Sequence, residues 1–92
     1  MREFRFTEDI YSFANELIVE AKAHGDVNSI KLLQNAIDRG GLLPSERLGE
    51  LRLALEELNR AQNKDYLILM RSDIRAAIRS INMAFKRSNR FW

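Results

Sequence analysis

The sequence predicts an all-α fold, an antiparallel up-down four-helix bundle with a long C-terminal helix. Three observations carry that prediction. Apolar residues recur at spacings of three and four through four successive stretches, as one face of a helix requires. Most of those stretches open on a capping residue or close on glycine. The only alternating stretch, residues 2–6, is too short to be more than an extended lead-in or a stub of strand. Ninety-two residues make one domain with little room for a second core, so residues 1–92 are read as a single helical domain. Its helices are placed at about 8–24, 27–39, 46–62 and 66–88.

The first helix is expected to begin at Thr7 as N-cap, with Glu8 and Asp9 in the first turn, where negative charge is favoured, and Phe6 stapled against Tyr11. Ile10, Phe13, Ala14, Leu17, Ile18 and Ala21 form its inner face, and Gly25 supplies a left-handed stop. Asp26 caps the second helix at once, which makes the turn tight and the two helices antiparallel. Ile30, Leu33, Ala36 and Ile37 face inward from it.

Gly40 and Gly41 end the second helix, and Leu42 and Leu43 are expected to close one end of the bundle before Ser45 caps the third. Leu48, Leu51, Leu55 and Leu58 make a continuous seam. Gly49 costs that helix about 1 kcal/mol relative to alanine, which points to a close helix crossing. The fourth helix carries Leu67, Met70, Ile74, Ala77, Ile78, Ile81, Ala84 and Phe85 as its stripe. At about 35 Å it is expected to overhang its neighbours by roughly two turns. The overhang would bring Lys86, Arg87, Arg90, Phe91 and Trp92 beside Glu3, Glu8, Asp9, Glu46 and Glu50.

Charge is unevenly divided. Residues 1–59 hold seven Lys/Arg against eleven Asp/Glu, a net of −4, and residues 60–92 hold eight against two, a net of +6. Such asymmetry points to an acidic partner, to neutralisation within the fold, or to pairing between two copies. Arg71, Arg75 and Arg79 follow one another at i, i+4 and i+8 without an acid four residues ahead of any of them. On the third helix Glu46, Glu50 and Glu57 lie opposite the leucine seam, with Leu53 among them. These seven residues, with Phe91 and Trp92 as aromatic anchors, are the candidate protein-binding set. A second copy would offer the acidic ridge an arginine face, and so a homodimer by charge complementarity.

The alternative is nucleic-acid binding, with Arg71, Arg75, Arg79, Lys86, Arg87 and Arg90 on phosphates. Aromatic residues do not interleave with the arginines as single-strand binders use them. A helix-turn-helix is rejected, because the 40–45 connection is long and the would-be recognition helix opens on Glu46 and Glu50. Docking of the Phe85, Phe91 and Trp92 end on a membrane surface is a further option.

No catalytic residue, cofactor or metal is expected. His24 is the only histidine, placed at a helix C-terminus where the dipole favours its charge, and Glu20 beside it would make only a two-ligand site. The chain has no cysteine, no glycine-rich phosphate loop and no nucleophile elbow. The longest apolar run, residues 66–70, is far short of a membrane span, and residues 1–7 do not read as a signal peptide. A cytoplasmic location and a non-enzymatic interaction role, as inhibitor, immunity-type protein or adaptor, complete the expectation.

Overall fold

In the computed structural model, residues 3–38, 43–61 and 63–89 are described, with side chains through Arg87. The described elements are helices: α1 (Thr7–Ala23), α2 (Val27–Ile37), α3 (Pro44–Asn59), α4 (Asp65–Leu69) and α5 (Arg71–Asn89). Among the described residues there is no strand, and no helix is long and apolar enough to cross a membrane. α1 packs on α2, α2 on α3 and α3 on α5, while α4 touches both α3 and α5.

The inner faces read from periodicity are buried or partly buried. Ile10, Phe13, Ala14, Leu17, Ile18 and Ala21 of α1 meet Leu33 and Ala36 of α2, the seam Leu48, Leu51, Leu55 and Leu58 of α3, and Ile74, Ala77 and Ile81 of α5 in one apolar cluster. Gly25 adopts φ 65°, the left-handed conformation that stops α1 without the strain a Cβ would add. The lead-in contributes Phe4, whose ring meets Phe13 edge-on at 5.4 Å between centroids.

Several local expectations are corrected. Phe6, not Thr7, is the N-cap of α1, and Thr7 is the first helical residue; from the third helical position Asp9 reaches back, its Oδ2 accepting from the backbone N–H of Arg5 at 3.0 Å and of Phe6 at 3.1 Å. Phe6 is exposed, and the aromatic packing belongs to Phe4. α3 begins at Pro44, whose fixed φ and missing N–H suit the first helical position, so Ser45 lies inside the helix. Leu43 is exposed rather than closing the bundle; Leu42, Gly40 and Gly41 lie outside the described residues.

The largest correction concerns the long fourth helix. It divides at Met70, which sits at φ −93°, ψ 3°, so that α4 and α5 are separate elements. The backbone pairing continues through the joint, with Met70 N–H donating to Tyr66 O and Ile74 N–H to Met70 O. On the two sides of the joint, Tyr66 is tied to the α1–α2 turn by its hydroxyl, whereas Ile74, Ala77 and Ile81 join the apolar cluster with α3. Within residues 66–70 Tyr66 and Leu67 are buried while Ile68 and Leu69 are exposed.

Gly49 does mark the contact between α3 and α5, but the approach is ordinary: an added Cβ would lie 3.8 Å from Phe85 Cζ. Gly49→Ala is therefore expected to stabilise the fold by up to about 1 kcal/mol, through helix propensity alone. Urea unfolding followed by circular dichroism checks it; a lower midpoint would mean that the crossing is tighter than described. Leu51→Ala, at a fully buried site, is expected to cost about 2–5 kcal/mol, a large share of the stability of so small a domain.

Candidate functional site

Two constellations stand out, one polar and inward-facing, the other an exposed two-helix face. The first centres on Asp26, the N-cap of α2. Its carboxylate accepts from Ser29 N–H at 3.3 Å, Ser29 Oγ at 2.6 Å, Tyr66 Oη at 2.6 Å and Lys64 Nζ at 2.9 Å. The His24 ring stacks on Tyr66 with centroids 4.5 Å apart and planes 8° from parallel. Three side chains, from the start of α2 and the start of α4, thus close on one carboxylate, and His24 covers the Tyr66 ring. The expected cap is present, but its long-range partners lie 38 and 40 residues away in sequence and leave no periodic signal.

Burial pushes the Asp26 carboxyl up, yet the bonds from Ser29, Tyr66 and Lys64 outweigh it and hold the acid well below the usual carboxylate range. Burial first, and then the bond to Asp26, pushes the Tyr66 phenol up to about 12. His24, Asp26, Lys64, Asp65 and Tyr66 also line a surface hollow, but the groups that would do chemistry there are engaged with one another. The arrangement ties one end of the molecule together.

Because the folded carboxyl is the stronger acid, Asp26 contributes stability in full above about pH 4 and loses it as pH falls further. Tyr66 is the converse case: its contribution is complete below pH 10.0, its ordinary value, and is lost as pH rises through about 12. Asp26→Asn is expected to cost about 1–3 kcal/mol at pH 7, since it leaves Lys64 and Tyr66 poorly partnered. It should also flatten the acid limb of the stability curve. Urea midpoints between pH 2 and 8 read both effects, and an unchanged acid limb in the variant would contradict the assignment.

The second constellation is built on α3 and α5, which run antiparallel. Gly49 faces Phe85, and Arg52 reaches Asn82 Oδ1 at 3.4 Å, so numbers rise along α3 as they fall along α5. Leu48 and Ala84 line one hollow, in keeping with that register. The Arg52 guanidinium also lies over the Phe85 ring, 5.7 Å from its centroid, sealing the flank between the helices. On each helix the outward ridge lies roughly 100° further round than this flank, in the same rotational sense. Since the helices run in opposite directions, both ridges emerge on the same side of the molecule.

The α3 ridge carries Glu46, Leu53 and Glu57, all exposed, with Glu50 partly buried. The α5 ridge carries Arg75, Arg79, Met83 and Lys86, all exposed, with Asn82 and Arg87 at its margins. Leu53 is 52% exposed and Met83 59%. In the shared register Glu57 lies level with the Arg75–Arg79 interval, Leu53 with the Arg79–Met83 interval, and Glu46 with the end of α5 beyond Lys86. Among the described residues Glu46, Glu57, Arg75 and Lys86 take part in no ion pair, while Glu50 and Arg79 have contacts of their own.

Of the residues singled out in the sequence, the structure therefore brings Glu46, Glu50, Leu53, Glu57, Arg75 and Arg79 onto one face. Arg71 opens α5 and is partly buried at the joint, off the ridge. Lys86 and Arg87 are exposed near the end of α5, and Arg87 lines a hollow with Phe4, Thr7 and Leu48 near the starts of α1 and α3; the expected two-turn overhang is not seen among the described residues, since the end of α5 lies level with the start of α3. Arg90, Phe91 and Trp92 lie outside the described residues.

Met83 was missed because a single methionine on a polar face gives no periodic signal. Arg47 and Arg52 prove to be structural arginines. Arg47 Nη2 donates to Ile37 O at 3.2 Å, where the last carbonyls of α2 need partners, and the Nε atoms of both arginines are buried without one. Among the described residues no three His, Asp or Glu side chains gather as metal ligands. Comparison with protein-family models, with curated proteins and with solved structures finds no match.

Proposed function

We propose that this chain is a small non-enzymatic interaction module, an antiparallel up-down bundle that binds protein through the exposed face shared by α3 and α5. An inhibitor, immunity-type or adaptor role fits such a module. One observation carries the reading: an acidic ridge and a basic ridge stand side by side, with Leu53 and Met83 exposed between the charges. Apolar anchors ringed by charge are what protein interfaces use, the anchors for affinity and the ring for orientation and encounter rate.

A polyanion is a poor occupant of this face. Glu46 and Glu57 lie beside the arginines at matched levels, so a phosphate backbone laid along α5 would meet repulsion from α3. The polar groups around Asp26 serve the fold, which favours binding over catalysis.

Photo-crosslinking residues placed at Leu53 or Met83 should yield protein adducts in cells, while the same residue at Val19, on α1 beside α2, should not. Fluorescence anisotropy with labelled single- and double-stranded oligonucleotides at low salt should show no saturable binding. Steep, salt-sensitive oligonucleotide binding, or adducts spread equally over all three positions, would overturn the proposal.

A further inference from the structure

Resting on that reading, the geometry points to a second copy of this chain as the occupant of the α3–α5 face. The two copies are related by a two-fold axis running parallel to the helices, between the two ridges. Face-to-face pairing of identical surfaces requires an axis lying in the plane of contact. Two simple choices exist. An axis across the helices stacks α3 on α3 and α5 on α5, setting glutamates against glutamates and arginines against arginines. An axis along the helices sets α3 of each copy on α5 of the other and preserves level, so every acid faces a base.

The register then names the contacts. Glu57 of one copy lies over the interval between Arg75 and Arg79 of the other, Leu53 meets Met83, and Glu46 approaches Lys86. Each contact occurs twice by symmetry. Leu53 and Met83, half-exposed in the single chain, come together at the centre, and the ion pairs surround them. The charges match along the full overlap because acids recur on α3 at 46, 50 and 57 while bases recur on α5 at 75, 79 and 86.

Size sets the expected strength. Sixteen residues of α3 span about 24 Å, and two adjacent helices are about 20 Å across, so the footprint is roughly 500 Å² per copy. The total, near 1,000 Å², lies at the low end of specific interfaces, which predicts a reversible dimer rather than an obligate one. Because its rim is ionic, raising salt from 0.1 M to 1 M, which shortens the screening length from about 10 Å to about 3 Å, should weaken it.

Sedimentation equilibrium of the full chain at low salt tests the inference directly. The native chain should dimerise reversibly, with its dissociation constant rising at least tenfold in high salt. Glu57→Arg alone and Arg75→Glu alone should each weaken the dimer at least tenfold, whereas the double variant should recover most of the native affinity. Circular dichroism confirms that each variant is folded, and Met83→Ser, which leaves charge untouched, should weaken the dimer independently.

A chain that stays monomeric at millimolar concentration and low salt would overturn the inference. So would a double variant no better than its worse single variant, or single charge reversals that tighten the dimer, which is the result expected of like-on-like stacking. If the monomeric chain still gave adducts confined to Leu53 and Met83, the face would bind a different protein and only the second-copy assignment would fall.

Discussion

Burial of the α3 leucine seam is the constraint from which the remaining geometry follows. Leu48, Leu51, Leu55 and Leu58 occupy the one stripe against which both α2 and α5 can exclude water, and α4 touches the same helix. Leu51 and Leu55 are wholly buried. With α3 held on its inner side and flanked by two helices, one ridge is left for solvent, and it carries Glu46, Leu53 and Glu57. The seam thus decides which residues are exposed as firmly as it decides which are not. Arg47 and Arg52 occupy the two flanks, one reaching the end of α2 and the other the side of α5.

The Asp26 cluster answers a different need. A domain of this size gains limited stability from its core, and its ends fray unless they are tied. Asp26 caps α2 and binds Lys64 and Tyr66, so one carboxylate joins the first turn of the bundle to the start of α4. The joint at Met70 lies between the two attachments: α4 is held to Asp26 through Tyr66, and α5 packs along α3.

Much of this was legible in the sequence because helical period and burial obey the same geometry. Every buried position named for α1 and for the α3 seam is buried, and Gly25 turns the chain as a left-handed glycine should. The misses have physical causes. A helical stripe continues in phase across a joint that preserves most backbone pairing, so Met70 was invisible. The reach-back of Asp9 to the N–H groups of Arg5 and Phe6 supports a helix start one residue before the one a Thr7 cap would give, and local chemistry permits either start. The partnership of Asp26 with Lys64 and Tyr66 depends on tertiary approach, which periodicity does not encode. The acidic and basic ridges were each legible alone, but their placement on one face required the antiparallel register of α3 and α5.

That register is the claim on which both the interaction face and its symmetric pairing stand. Through-space proton contacts in solution test it most directly. The account predicts nuclear Overhauser effects from the Phe85 ring to the α protons of Gly49, together with contacts between Arg52 and Asn82. Contacts from Phe85 to Leu58 and Asn59 in their place would set the helices parallel, send the two ridges to opposite sides and contradict the account.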